Sequence, residues 1–269
     1  MVVVRREEQE RASLFPSSSP SEVLIEVSDV SKKYPTRSEL VEAVSNMSFD
    51  VKRGEFLTII GPSGCGKSTV LAMIAGLLMP TSGSIRVEGK DVVGPMPERI
   101  AVAFQEPGLL PWRNIEKNIE LGLEARSVPK VQRSKIAQKY IELVGLSGFG
   151  DKYPHQLSGG MKQRAAIARC LSMDTNILLL DEPFGALDEQ TRLLMGEELL
   201  KILSVTSKTV LLVTHSLQEA ANLSDRVIVM TKRPGRIREE ITIDLPHPRK
   251  PTDTVEYVNK LWDLIREPA

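Results

Sequence analysis

The sequence predicts an α/β protein: a mostly parallel sheet with an N-terminal antiparallel β lobe and an inserted helical subdomain. Three observations carry that reading. The runs FLTII at 56–60, ILLL at 177–180 and VLLV at 210–213 are apolar throughout. Such short continuous runs are what strands buried on both faces of a parallel sheet require. Nearer the N-terminus, VLIEV at 23–27 and AVSNMSFDV at 43–51 alternate apolar and polar positions, as half-exposed antiparallel strands do. From about 106 to 164 the chain is mainly helix-forming and charged, as in VQRSKIAQKYIELVGL at 131–146.

The first 22 residues contain FPSSSPSE and are polar and Ser/Pro-rich; too little apolar surface is available to order them, so a flexible leader is expected. A folded domain over 23–245 follows, then a Pro-rich tail over 246–269. Within the domain, strand 56–60 breaks into glycines and resumes as a helix over 68–78. The remaining central strand is IAVAF at 100–104. After Arg226 come VIVMT at 227–231, a PGR turn and ITIDL at 241–245, and a last short helix is expected near 253–266.

Composition narrows the function classes. With 269 residues and 41% apolar content the chain can bury one large core with an inserted lobe. Lys plus Arg total 35 and Asp plus Glu total 35, so no global basic field argues for a nucleic-acid partner. Cys65 and Cys170 are far apart and match no metal-ligand spacing, which suits reduced thiols. The three valines of MVVVRREEQE are too short for a signal-peptide core. The longest apolar run, Val70 to Met79, is half of the ~20 residues of a membrane-spanning helix. Work at a membrane therefore requires another component.

Gly61-Pro62-Ser63-Gly64-Cys65-Gly66-Lys67-Ser68, followed by Thr69, fits G-x-x-x-x-G-K-[ST] between a buried strand and a helix. The glycines allow backbone N–H groups to wrap phosphates, and the helix N-terminus adds positive potential. Lys67 is placed to reach the β- and γ-phosphates and the Ser68 hydroxyl to ligate Mg²⁺. The sheet thus becomes the core of a P-loop NTPase, with a nucleoside triphosphate and Mg²⁺ as the ligands these residues suit. The strand at 177–180 ends in Asp181-Glu182. Asp181 is the candidate to hold Mg²⁺, directly or through water, and Glu182 the candidate to orient or deprotonate the water that attacks the γ-phosphate. These two elements alone allow a kinase, a GTPase or many other P-loop enzymes.

Leu157-Ser158-Gly159-Gly160-Met161-Lys162-Gln163-Arg164 resembles the signature motif of ABC transporter ATPases. Ser158, Gly159 and Gly160 open a helix and so present a hydroxyl and free N–H groups, a second anion site. The resemblance spans roughly Val23 to Leu245 and implies a head-to-tail dimer in which the signature of one subunit covers the ATP held by its partner. It implies further roles: Tyr34 as adenine platform, Gln105 as a Mg²⁺ and water sensor, Asp188 in the loop that crosses the dimer, and His215 as the γ-phosphate switch. His155 and His247 match no role.

The segment Glu106-Pro107-Gly108-Leu109-Leu110-Pro111-Trp112-Arg113-Asn114 follows Gln105 where the family docks its permease, with Trp112 as the candidate anchor. The FQ-x-x-x-LLPW pattern and the ending LPHPRKPTD resemble the nitrate, sulfonate and taurine importer group. This implies a peripheral subunit on the cytoplasmic face of the membrane, a transmembrane permease and, indirectly, a periplasmic or extracellular solute-binding protein. Nitrate, sulfonates, taurine, bicarbonate and pyrimidine precursors are the candidate solutes. The competing readings are a soluble ABC ATPase acting on ribosomes or DNA, which usually has two cassettes, a long coiled coil or zinc-binding cysteines, and an exporter subunit.

Overall fold

The computed structural model describes residues 22–35, 39–206 and 208–266. The leader expected over 1–22 lies, apart from Glu22, outside the described residues. In chain order the elements are β1 (Val23–Pro35), β2 (Leu40–Lys52), β3 (Phe56–Ile60), α1 (Lys67–Ile74), β4 (Ser82–Val87), β5 (Lys90–Asp91) and β6 (Ile100–Ala103). Then come α2 (Ile115–Ile119), α3 (Leu121–Ala125), α4 (Lys130–Leu143), a 3₁₀ turn (Pro154–Gln156), α5 (Gly159–Ser172), β7 (Ile177–Asp181) and α6 (Glu189–Thr206). The chain closes with β8 (Thr209–Val213), α7 (Leu217–Leu223), β9 (Arg226–Met230), β10 (Ile237–Thr242) and α8 (Val255–Arg266). Two compact units form: the described residues up to Met96 together with those from Leu199 onward, and residues Pro97–Glu198.

In the first unit β2, β1, β4 and β5 make an antiparallel sheet in that order. Both long strands outrun the runs read from sequence. Register shifts in the β1–β2 pairing between Val27 and Lys33 bend the ladder, and the alternation that marks a strand is lost there. The β4–β5 hairpin was not anticipated, because SGSIRV opens on small residues depleted from strands. It is held by pairing with β1, Ile25 opposite Val87 and Val27 opposite Ile85.

The same unit carries a second layer in which β3 pairs parallel with both β8 and β9, and β10 pairs antiparallel with β9. Every residue of β3 and β8 is buried, as continuous apolar runs demand. The last strand starts at Ile237, earlier than the ITIDL run at 241–245 suggested, since Ile237 to Thr242 pair with Met230 to Arg226. Ile60, Val227, Val229, Ile241 and Ile243 join Ala220, Ala221 and Leu261 in one apolar cluster. Leu261 ties α8 into this core, while Trp262 remains half-exposed.

Helix α1 is shorter than the 68–78 read from sequence. Gly76, at φ 72°, follows the cap residue Ala75. The N–H groups of Gly76 and Leu77 donate to the carbonyls of Met73 and Ala72, a Schellman stop that needs the left-handed conformation. In the second unit β6 and β7 pair parallel, Ile100 to Ala103 against Ile177 to Leu180. Helices α2 to α5 lie wholly within it, with Ile115, Ile119, Ala137, Ile141, Ala165 and Ala168 buried. No helix among the described residues is long and apolar enough to cross a membrane.

Candidate functional site

The first unit places the glycine-rich loop at 61–66, the candidate phosphate cradle, between β3 and α1. Gly66 is the N-cap of α1 at φ 108°. A Cβ there would meet Val44 Cγ2 at 2.7 Å and the Ala43 carbonyl at 2.9 Å, so both conformation and space exclude a side chain. Gly64, also left-handed at φ 74°, lies on the exposed side of the loop. Lys67 is 6% exposed, and its Nζ folds back to donate to the carbonyls of Gly61 at 2.8 Å and Pro62 at 3.2 Å. The ammonium thus sits inside the loop. Ser63 and Ser68 are exposed, and Pro62 and Thr69 half-buried.

The Cys65 thiol is 1% exposed and turned inward, close to Gly61. Burial pushes it up from its ordinary range, with the Lys67 charge opposing in part. What the loop presents at this position is backbone.

His215 is exposed just beyond the buried strand β8. The turn beneath it is bracketed by hydrogen bonds: Thr214 Oγ1 donates to Glu219 Oε2 at 2.6 Å, and the Ser216 N–H donates to Thr214 Oγ1. Ser216 Oγ in turn accepts from the Glu219 N–H and caps α7. Glu219 is 8% exposed, a buried carboxylate that the motif reading did not single out. Tyr34, paired with Val41 in the β1–β2 ladder, is 38% exposed. The Lys32 ammonium lies 5.4 Å from its ring centroid.

In the second unit, β7 delivers Asp181 at its buried end. Glu182 follows with φ 45°, a left-handed conformation that a residue other than glycine adopts only at a cost. Gln105 Nε2 donates to Glu182 Oε2 at 3.3 Å, so this pair is brought together. The segment after Gln105 is pinned by Arg169, which donates to the carbonyls of Pro107 and Gly108 at 2.7 and 2.8 Å. Burial holds the Arg169 guanidinium below its ordinary range.

Ser158 caps α5, its Oγ accepting from the Met161 N–H. Ser158 and Gly159 are exposed, and around Gly159 there is open space. A Cβ on Gly160 would meet Leu187 Cδ2 at 3.1 Å and the Ala186 carbonyl at 3.3 Å. The signature helix start and the Ala186-Leu187-Asp188 loop are therefore neighbours. Asp188 accepts from the Thr191 N–H and hydroxyl at 2.9 and 2.6 Å. Those bonds hold its carboxyl below the usual range.

A family model for the ABC transporter matches residues 44–185. An uncharacterized ABC transporter ATP-binding protein of Methanocaldococcus jannaschii is 49% identical over 91% of this chain and 92% of its own length. The chain belongs to the ABC transporter family. Among its relatives is the taurine import ATP-binding protein of Roseobacter denitrificans, 40% identical over 84% of this chain and 89% of that protein. The bicarbonate transport ATP-binding protein of Synechococcus elongatus is 43% identical over 87% of this chain and 36% of its own length. A solved ATP-binding cassette, described as a dimeric post-hydrolysis state bound to ADP and Pi, superposes with a TM-score of 0.77 at 31% identity, covering 82% of this chain and all of the other. The fold is that of the ABC ATPase cassette, and the chain is an ATPase of this family that resembles the nitrate, sulfonate and taurine importer group.

Near Trp112 the ABC cassette has an open cleft of about 300 Å³ lined by Trp112, Arg113, Asn114, Lys117, Glu124, Arg133 and Tyr153. Buried Asn118 shapes the Leu110–Asn114 loop at its rim. It accepts from the Leu110 N–H and donates to the carbonyls of Leu110, Arg113 and Asn114. Ion pairs form the wall: Glu120, fully buried, takes Lys117 at 2.7 Å and Arg133 at 2.9 Å, and Arg113 pairs with Glu124 at 2.6 Å. Trp112, which also lines the cleft, is 71% exposed. His155 stacks on Tyr153.

The contacts made by the turn after β9 were not legible in the sequence. That segment was read only as a PGR turn, yet Gly235 packs on the Cys65 carbonyl and Arg233 donates to Gly64. No local signal links residues 169 positions apart.

Proposed function

We propose that this chain is the ATP-hydrolysing subunit of an importer that takes up a small solute through a separate permease. The observation that carries this reading is the presence on one chain of two glycine-bearing helix starts, each suited to an anion. One is the cradle at α1 with its buried Lys67; the other is the exposed Ser158-Gly159 opening of α5. A chain with two such half-sites suits a head-to-tail pair in which each copy completes the other's site. Relatives named for taurine and bicarbonate transport favour a small anion or zwitterion, and the permease and its solute-binding protein are the proposed partners at the cytoplasmic membrane face. The exposed Trp112 is the proposed anchor for the permease.

In this reading the Lys67 ammonium exchanges the Gly61 and Pro62 carbonyls for phosphate oxygens, while the backbone of Gly64 to Thr69 wraps the phosphates. Tyr34 carries the adenine. Ser68 and Asp181 are proposed to hold Mg²⁺, since a hydroxyl and a carboxylate are the hard oxygen donors that ion takes. Bound there, it neutralises charge on the β- and γ-phosphate oxygens. Glu182 accepts the proton of the attacking water, with Gln105 holding its carboxylate. His215 contacts the γ-phosphate, and Ser158, Gly159, Gly160 and Asp188 act across the dimer.

The test is to tag the chain, solubilise native membranes gently and identify what copurifies by mass spectrometry. A multi-helix permease is the expected partner. Recovery of ribosomal proteins or DNA-repair factors without a permease overturns the importer reading and leaves the ATPase intact.

A further inference from the structure

We infer that Arg233, in the turn after β9, is a positioning residue for the phosphate cradle: it sets the peptide plane between Gly64 and Cys65. Its Nε and Nη2 donate to the Gly64 carbonyl at 3.1 and 3.0 Å. A trans peptide carries its N–H opposite its C=O. Fixing the Gly64 carbonyl on the guanidinium side therefore turns the Cys65 N–H toward the loop interior, where it meets the Pro62 carbonyl at 3.3 Å. Gly64 at φ 74° leaves that plane otherwise easy to rotate. A carbonyl polarised by a cation also makes the attached N–H a stronger donor toward an anion.

The turn that presents Arg233 is itself fastened to the cradle. The Thr231 N–H donates to the Arg236 carbonyl and the Arg236 N–H to Thr231 Oγ1, both at 3.0 Å, which closes the turn. Gly235 is sewn to β2: its N–H donates to Ala43 at 2.9 Å and its carbonyl accepts from Ser45 at 3.0 Å. A Cβ on Gly235 would lie 2.1 Å from the Cys65 carbonyl, so the turn sits directly against the loop. Residues 43 and 44 are the same ones that leave no room for a side chain at Gly66. The turn, β2 and the cradle therefore form one packed assembly, with Arg233 as its charged contact.

This inference rests on the cradle binding ATP phosphates, so the experiment separates the two claims. ATP hydrolysis and nucleotide-dependent thermal shift are measured for the full chain and for Arg233→Met, Arg233→Lys and Lys67→Ala. Wild-type turnover together with its loss in Lys67→Ala establishes the cradle. Arg233→Met, which keeps the aliphatic stem, is expected to raise KM for ATP by about 3- to 10-fold, the effect of one charge-assisted hydrogen bond at an exposed site. The kcat should stay within about twofold, the ATP-induced thermal shift should shrink, and the melting temperature without nucleotide should hold, because uniform binding rather than transition-state stabilisation is lost. Arg233→Lys, retaining one charged donor, is expected to recover most of the affinity. The inference is overturned if Arg233→Met binds and turns over ATP like wild type. It also fails if the KM rise comes with an equal loss of nucleotide-free stability that Arg233→Lys does not relieve.

Discussion

Glu182 occupies a left-handed backbone position at φ 45° immediately after a buried strand. The strain is tolerated where surrounding structure determines it, which is common at reacting centres. Glu182→Gln should retain ATP binding and lose turnover by about 10²- to 10⁴-fold if the carboxylate accepts the water's proton. Near-normal phosphate release in a steady-state assay would remove Glu182 from that role. Cys65 makes the opposite point. Burial raises its thiol, so the thiolate fraction at neutral pH is lower than for a free cysteine. Alkylation in the native chain is therefore expected to be slower by at least about tenfold than in urea, with little protection added by ATP; fast, ATP-protected labelling would mean that the thiol faces the phosphates. Lys67, Asp181 and Glu182 were legible because each belongs to a short local pattern. Glu219 and Arg233 were not, because an isolated Glu or Arg has no signature until folding supplies its neighbour.

At the scale of elements, the strand–loop–helix around Gly61 to Ser68 and the strand ending at Asp181 follow from apolar runs interrupted by glycine or carboxylate. Gly66→Ala should cost both stability and nucleotide affinity: a left-handed alanine costs roughly 1–3 kcal/mol, and its methyl would meet Val44 and Ala43. Differential scanning fluorimetry with and without ATP reads both losses, and wild-type behaviour would contradict the packing described. The C-terminal tail offers a second check. Buried Arg249 donates to the carbonyls of Ala221, Ser224, Ile243 and Leu245; burial holds its guanidinium down to about 10. Arg249→Ala leaves those buried acceptors unsatisfied and is expected to destabilise by about 2–4 kcal/mol in urea titration. An unchanged midpoint would show that water replaces the arginine. The tail's Pro-rich sequence announces a turn but not this staple, and SGSIRV announces neither β4 nor its pairing.

For the molecule as a whole, association is the consequence to test. If ATP joins two copies through the cradle of one and the Ser158 helix start of the other, Glu182→Gln with ATP should shift from monomer to dimer in light scattering, because the nucleotide persists. Ser158→Arg in the same background should remain monomeric, since a bulky cation occupies the exposed cap. A dimer that forms without nucleotide, or with Ser158→Arg, would contradict ATP as the joining element.

The sequence by itself determined the alternation of strand and helix, the glycine-rich loop before α1, the carboxylate pair at the end of β7 and the membership in an ATPase family. Each is carried by residues within about ten positions of one another, where backbone geometry converts spacing directly into placement. Only tertiary structure decided which way the Cys65 side chain points, that Gln105 reaches Glu182, that Gly160 abuts Ala186 and Leu187, and that Arg233 grips Gly64. These are contacts between residues distant in sequence. They exist because burying apolar runs in layers forces particular loops together, and a single chain pattern contains no measure of which loops those are.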